Sequence, residues 1–162
     1  MNQVAANASI SKLADIEESS RGSKLVVADH VMIDAFVKIK FTGGDGDIII
    51  GEGSYINSGC VLYSGNGIVI GNGVLIAANC TFAPVNHEFR DRSRTIKEQR
   101  FMPGKGGILI EDDVWIGAGV IILDGAVIKK GCVIGAGSIV SGTTEAYGIY
   151  AGNPLQLKKF RV

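Results

Sequence analysis

What this sequence is short of already excludes several kinds of protein. Its 16 Lys and Arg stand against 16 Asp and Glu, leaving no formal net charge. No global field therefore draws it to nucleic acid or to an anionic membrane. No run approaches the roughly 20 apolar residues of a membrane span. The N-terminus MNQVAANASISKLADIEESS has no apolar stretch of signal-peptide length, so a cytoplasmic protein is expected. Three prolines are too few for a collagen or a Pro/Gly linker. Three cysteines, Cys60, Cys80 and Cys132, form no close pair. An odd, scattered set is not a disulfide framework, no CxxC marks a zinc site, and a reducing compartment fits. No GxGxxG or P-loop pattern sits between a strand and a helix, which excludes phosphate binding by those folds.

Glycine is what the chain has in excess: 23 of 162 residues, about twice the usual ~7%. It is spread through a chain that is 46% hydrophobic, enough apolar content for a packed core rather than disorder. Many tight backbone corners are expected.

The corners come with a period of six. Ile110, Ile116, Ile122, Ile128, Ile134 and Val140 are spaced by six, and Val114, Val120, Ala126, Cys132, Ser138 and Thr144 follow each by four. The first set is β-branched and aliphatic; the second is small or β-branched. The same grid holds at Val27, Ile33 and Ile39, at Ile50, Ile56 and Leu62, and at Ile70, Ile76 and Phe82. A helix would repeat near 3.6, and hairpins would show longer alternating runs with Asn-Gly-type turns. Six residues fit one short strand and one corner, and three such units close a triangular coil. Stacked coils bury aliphatic ladders that no single repeat could bury. An all-β, parallel β-helix of hexapeptide repeats is the fold expected.

The phase slips between Ile39 and Ile50 and between Leu62 and Ile70, where turn adjustments are expected. It is lost altogether across PVNHEFRDRSRTIKEQRFMPGKGG, residues 84–107. A loop of that length inside a compact domain is functional or disordered. The domain is drawn over residues 25–151. Residues 1–24 read as a polar segment off the grid, with a short helix around Ile10–Glu17. Residues 152–162 read as a basic tail after the Gly152-Asn153-Pro154 turn.

His87 stands where the regular coil gives way to the loop. It is either a loop histidine without a role or a general base, since imidazole titrates near neutrality. His30 falls on a regular, solvated corner. Asn57 follows an anchor isoleucine, where an amide either eases the corner or binds a polar ligand. The loop carries Arg90, Arg92, Arg94, Lys97, Arg100 and Lys105 against Glu88, Asp91 and Glu98, a net of +3. That is either a solvated charge run or an arm that attracts phosphate groups, with Gly104, Gly106 and Gly107 as its hinge. The cysteines fall on small inward positions and read as core residues, which disfavours a covalent enzyme intermediate. Trp115, the only tryptophan, falls on an outward position, where it calls for a ligand or a partner subunit.

The segments IIIGEGSYINSGC, VIGNGVLIAANCTFAPVNH, ILIEDDVWIGAGVIILDGAVI, VIGAGSIV and AGNP carry a resemblance. Over roughly residues 25–160 the chain resembles the hexapeptide-repeat acyltransferases of the galactoside and maltose O-acetyltransferase branch. Within that branch it is most similar to sugar O-acetyltransferases of surface-polysaccharide biosynthesis. The resemblance implies a left-handed coil, a homotrimer with sites between subunits, acetyl-CoA as co-substrate, and no metal. It implies a sugar or nucleotide-sugar acceptor and His87 as general base. Asn57, Asn86, Glu88 and Gln99 become acceptor contacts. Trp115, Gly117, Ala118, Ala136, Ser141, Lys158 and Lys159 become contacts of the CoA donor. Two departures stand out. Residues 1–24 show no counterpart of the acceptor-binding acid in the N-terminal helical segment of longer relatives. Gln156 replaces an arginine common after the AGxP turn, with Lys158 and Lys159 close enough in sequence to supply its charge.

The implied reaction is direct transfer: His87 takes the acceptor proton, the oxygen attacks the thioester, and a backbone N–H near Ala118 stabilises the oxyanion. An amino sugar could be acylated by the same base. A β-helix carbonic anhydrase needs three histidines on zinc, and this chain has two. A nucleotidyltransferase would need a further α/β domain. A non-catalytic interaction module is the remaining alternative.

Overall fold

A computed structural model describes residues 2–162. The chain winds through six coils, each contributing a short strand to each of three parallel sheets, here called faces A, B and C. The first coil holds β1 (Gln3–Val4), β2 (Ser9–Ile10) and β3 (Asp15–Ile16). The second holds β4 (Leu25–Val27), β5 (Met32–Ile33) and β6 (Lys38–Lys40). The third holds β7 (Ile48–Ile50), β8 (Tyr55–Ile56) and β9 (Val61–Tyr63). The fourth holds β10 (Ile68–Ile70), β11 (Leu75–Ile76) and β12 (Thr81–Ala83). The loop with a single turn of helix, α1 (Ile96–Gln99), comes next. The fifth coil holds β13 (Ile108–Ile110), β14 (Trp115–Ile116) and β15 (Ile121–Leu123). The sixth holds β16 (Val127–Ile128), β17 (Val133–Ile134) and β18 (Ile139–Val140). The result is a left-handed parallel β-helix.

The six-residue grid becomes three internal ladders. On face A, Val27, Ile50, Ile70, Ile110 and Ile128 stack in register. Face B stacks Ile33, Ile56, Ile76, Ile116 and Ile134, and face C stacks Ile39, Leu62, Phe82, Ile122 and Val140. All are buried. The small set fills the corners. Gly119 turns one of them at φ +66°, with no neighbour crowding it, the left-handed conformation that glycine adopts without cost. The three cysteines are buried core residues. The Cys60 thiol is pushed up by its hydrogen bond with the Cys80 thiol of the next coil and by burial, which makes it a poor nucleophile.

Residues 2–24 correct the expectation of a helix around Ile10–Glu17. They form the first coil, with β1, β2 and β3 pairing in parallel with β4, β5 and β6. Ile10 and Ile16 sit in register with Ile33 and Ile39, and Ala8 and Ala14 pack with them against the core. The polar residues between them occupy corners and the outer surface, so polarity there does not oppose a coil.

The C-terminal tail is also a strand. β19 (Gly148–Ala151) continues face B in parallel with β17, and β20 (Gln156–Phe160) folds back antiparallel along it. Arg161 then reaches the Asp113 carboxylate at 2.9 Å and the Gly131 carbonyl at 2.9 Å, fastening the tail to the corner between faces A and B. No helix is long and apolar enough to cross a membrane among the described residues.

Candidate active site

Every large departure from the period falls on one edge of the prism, the corner where face C passes to face A. Residues 41–47, 64–67 and 84–107 lie between β6 and β7, β9 and β10, and β12 and β13. They stack on one another: a Cβ on Gly43 would meet Val85, and one on Gly104 would meet Asn66. The long loop therefore grows from a widened edge. Asp124, buried in the next coil at 3% exposure, holds its returning end. Its carboxylate accepts from the Lys105 N–H at 2.8 Å, the Gly107 N–H at 2.9 Å and the Asn66 amide at 3.1 Å.

The loop's two arms form a short antiparallel ribbon. The Met102 N–H donates to the Asn86 carbonyl and the Glu88 N–H to the Arg100 carbonyl, both at 2.9 Å. At its tip Thr95 and Glu98 cap α1 reciprocally, and the hydrogen bonds from Thr95 hold the Glu98 carboxyl below its ordinary range. His87 faces Phe101 across the ribbon, their rings 4.7 Å apart. The imidazole Nδ1 lies 3.1 Å from the Arg100 carbonyl oxygen. A carbonyl only accepts, so Nδ1 carries the hydrogen and the neutral ring presents Nε2 as an acceptor.

Two clefts meet at this imidazole. One, of about 960 Å³, is lined by Arg94, Lys97 and Arg100 with Ser93 and Thr95. The other, of about 550 Å³, is lined by Phe89, Ile96, Met102 and Pro103 with Asn86 and Lys105. The first is the more basic side and can receive anionic or hydroxyl groups; the second is the more apolar.

Glu88 and Gln99 have other work. The Glu88 carboxylate accepts the N–H groups of Arg90 and Phe89, which hold its carboxyl below the ordinary range. Gln99 accepts the Asp91 N–H and donates to the Asp91 and Arg94 carbonyls. Both side chains tie the loop to itself, and neither lines the two clefts beside His87. Sequence reasoning named Arg100 only for its charge, and missed its carbonyl, Phe101 and Asp124. Arg100 acts through its backbone, which no residue pattern reveals; Asp124 did carry a signal, as a lone carboxylate following the β15 run.

The remaining candidates gather elsewhere. Trp115 projects from face B, 54% exposed, in register with Leu75 and Val133. Asn57, Gly117, Ala118 and Ala136 lie at the corner that follows face B. The Asn57 amide donates to the Ile76 carbonyl at 3.2 Å. Gly117 is needed for close approach, because a Cβ would lie 2.6 Å from the Ala136 nitrogen. Among the described residues the N–H groups of Ser58, Ala78, Ala118 and Ala136 have no hydrogen-bond partner. They form a column of free donors parallel to the prism axis. Lys159 is opposite Ile149, itself in register with Val133, and so shares the outer face with Trp115; Lys158 falls at a register shift and bonds Gln156. Ser141 follows face C in the last coil, at a different corner.

His87 thus leaves the prism at the C–A edge, while Trp115 and the free N–H column flank face B, the side opposite that edge. No group of three or more His, Cys, Asp or Glu is placed to hold a metal among the described residues.

Comparison with known proteins agrees with this architecture. Residues 107–142 match the bacterial transferase hexapeptide (six repeats) family. A hexapeptide-repeat containing acetyltransferase from Vibrio cholerae O1 biovar eltor, solved with acetyl coenzyme A, is 30% identical with a TM-score of 0.69. That match covers 80% of this chain and 67% of the other. A variant of AntD, an N-acyltransferase from Bacillus cereus, was solved with dTDP-4-amino-4,6-dideoxyglucose and Coenzyme A. It superposes with a TM-score of 0.83 at 26% identity, over 99% of this chain and 84% of that one. A probable macrolide acetyltransferase of Lysinibacillus sphaericus is 45% identical over 60 residues, 37% of this chain and only 33% of that protein's length. The chain belongs to the hexapeptide-repeat acetyltransferase family.

Proposed function

We propose that the protein transfers an acetyl group from acetyl-CoA to a hydroxyl of a sugar or sugar-containing acceptor, of the kind used in surface-polysaccharide assembly. The observation that carries this reading is the pairing of two incomplete halves. A fixed imidazole stands at one edge, and an aromatic face with a column of free N–H donors stands on the opposite side. The free N–H groups match the amide carbonyls of a pantetheine chain, Trp115 offers its face to the same arm, and Lys159 supplies a cation on that surface. The ligands of the Vibrio cholerae and Bacillus cereus relatives support a CoA donor.

The two halves meet if the C–A edge of one copy docks against face B of the next. A head-to-tail contact of that kind closes into a ring, and the proposed assembly is a homotrimer with three shared sites. Exposed apolar groups on both surfaces support it: Phe89 and Ile96 on the loop, Leu75 and Met32 on face B. Three buried, unpaired thiols suit a reducing cytoplasm.

In the reaction, His87 Nε2 takes the acceptor proton as the acceptor oxygen bonds to the thioester carbon. The Ala118 N–H stabilises the resulting oxyanion. The C–S bond then breaks, and the proton passes from the imidazolium to the departing CoA thiolate, restoring neutral His87. Asn57 on the facing copy orients the acceptor. A second reading, acylation of an amine on a nucleotide-linked sugar, is favoured by the likeness to AntD; the same base and donor groups would serve it.

Mass spectrometry of acetyl transfer across a panel of free and nucleotide-linked sugars, including amino sugars, tests the reading and separates O- from N-acetylation. His87→Ala should lower kcat by about 10²–10⁴-fold. No transfer to any acceptor, together with no thermal stabilisation by CoA, would reject the enzyme in favour of an interaction module.

A further inference from the structure

Arg100 has an unusual backbone. It closes α1 with φ 63° and ψ −132°. A side-chain-bearing residue seldom enters that region, which glycine alone occupies freely and which costs others about 1–3 kcal/mol. The surrounding fold does not require the strain. α1 buries none of its residues, and the chain uses glycine freely at corners elsewhere. The conformation has one visible consequence: it aims the Arg100 carbonyl back across the ribbon. That single oxygen accepts the Glu88 N–H at 2.9 Å and lies 3.1 Å from His87 Nδ1. The ring of Phe101, the next residue, lies beside the imidazole, and the His87–Phe101 bridge fixes the backbone beneath both.

We infer that Arg100 is a positioning residue, whose strained backbone holds His87 in the Nδ1–H tautomer and turns Nε2 toward the two clefts. Left to rotate in an exposed loop, an imidazole would divide its time between tautomers and orientations, and only a fraction of molecules would offer a base to the acceptor. The Arg100 carbonyl removes that choice. Its guanidinium lines the polar cleft with Arg94 and Lys97, so one residue fixes the ring through its main chain and shapes the acceptor side through its side chain. This inference rests on reading His87 as the base, but its test does not need turnover.

The test is long-range ¹H–¹⁵N NMR of the histidine side chains in the full-length protein, with His30→Gln to assign the two rings. At a pH where the ring is neutral, His87 should show a pyrrole-like Nδ1 and a pyridine-like Nε2. A pyrrole-like Nε2, or an averaged pair, overturns the inference. Two variants separate the backbone from the side chain. Arg100→Gly can keep the same dihedrals without strain, so it should preserve the tautomer and leave the thermal midpoint unchanged or raised. Arg100→Pro fixes φ near −65° and cannot present the carbonyl as it now stands. It should give an averaged ring, a displaced pH–kcat profile and a kcat about tenfold lower or worse, up to the 10²–10⁴-fold that losing a general base outright costs. An Arg100→Pro protein that melts cooperatively and keeps both the wild-type tautomer and pH profile overturns the inference. If that variant does not fold, the wild-type spectrum decides alone. Full activity in His87→Ala alongside a fixed Nδ1–H tautomer would reject the base while leaving the positioning intact.

Discussion

Asp124 accepts the backbone N–H of Gly107 at 2.9 Å across seventeen residues of chain. This bond makes the end of an otherwise exposed loop part of the buried prism. The same carboxylate takes the Lys105 N–H and the Asn66 amide, so three donors from two loops converge on one buried group. The arm that carries His87 begins at Pro84, packed on the same edge, and ends at this anchor.

Asp124→Asn keeps the shape but replaces an accepting oxygen with a donating NH₂ that faces other donors. We expect a loss of about 2–4 kcal/mol in denaturant unfolding, since hydrogen bonds to charged groups contribute about 1.5–3 kcal/mol each and do not add fully. Limited proteolysis within residues 84–107 should quicken at the same time. An unchanged midpoint and cleavage rate would show that the anchor is dispensable.

Gly117→Ala tests how closely the coils approach. The new methyl carbon would lie 2.6 Å from the Ala136 nitrogen and 2.9 Å from the Ile134 oxygen. Both are backbone atoms that cannot rotate away. Forcing the two coils apart should cost about 1–3 kcal/mol, read as a lower midpoint in thermal or denaturant unfolding. By contrast Phe82→Ala empties a fully buried rung and should cost about 3–5 kcal/mol.

Glu111 sets a pH dependence whose sign follows from its partners. The Lys129 ammonium at 2.8 Å and the Lys130 N–H hold its carboxyl below the ordinary glutamate range. Its contribution is therefore complete above the unfolded value of about 4.3 and is lost as pH falls through the lower folded one. The midpoint gap between wild type and Glu111→Gln should be constant between about pH 6 and pH 8 and close in acid. Both partners are partly exposed, so added salt should narrow the gap at neutral pH. A gap that widens on acidification would contradict the assignment.

The prism was legible in the sequence because each inward rung repeats at six and every rung is apolar. Its first coil was legible too, but concealed. Val4, Ile10 and Ile16 are spaced by six, and the eleven residues from Ile16 to Val27 repeat the Ile39-to-Ile50 slip. Short polar corners dilute that signal in the first coil, where Val4 is exposed and Ile10 and Ile16 are only partly buried. The slips also contained more than turn adjustments: each follows the third rung of a coil, which places all of them on one edge. His87 could be singled out from the end of the phase, and Thr95 with Glu98 spells a helix cap. What fixes the imidazole could not be read, because every residue has a backbone carbonyl and only the direction of the one at Arg100 matters.

The opposite placement of His87 and Trp115 leads to a test of assembly that neither single variant gives. Ala118 precedes Gly119, which has φ +66°, the arrangement in which a turn accepts proline at its first central position. Ala118→Pro therefore removes a free N–H with little damage to the coil, and should abolish turnover while leaving the melting midpoint near wild type. His87→Ala should be equally inactive. If each site takes its imidazole from one copy and its N–H column from the next, a mixed assembly of the two dead variants contains some wholly wild-type sites. Random mixing at equal amounts makes about a quarter of the sites intact in a head-to-tail ring, so co-refolded protein should recover about that share of wild-type activity. Sites built within one chain would recover nothing, because every chain in the mixture carries one of the two lesions.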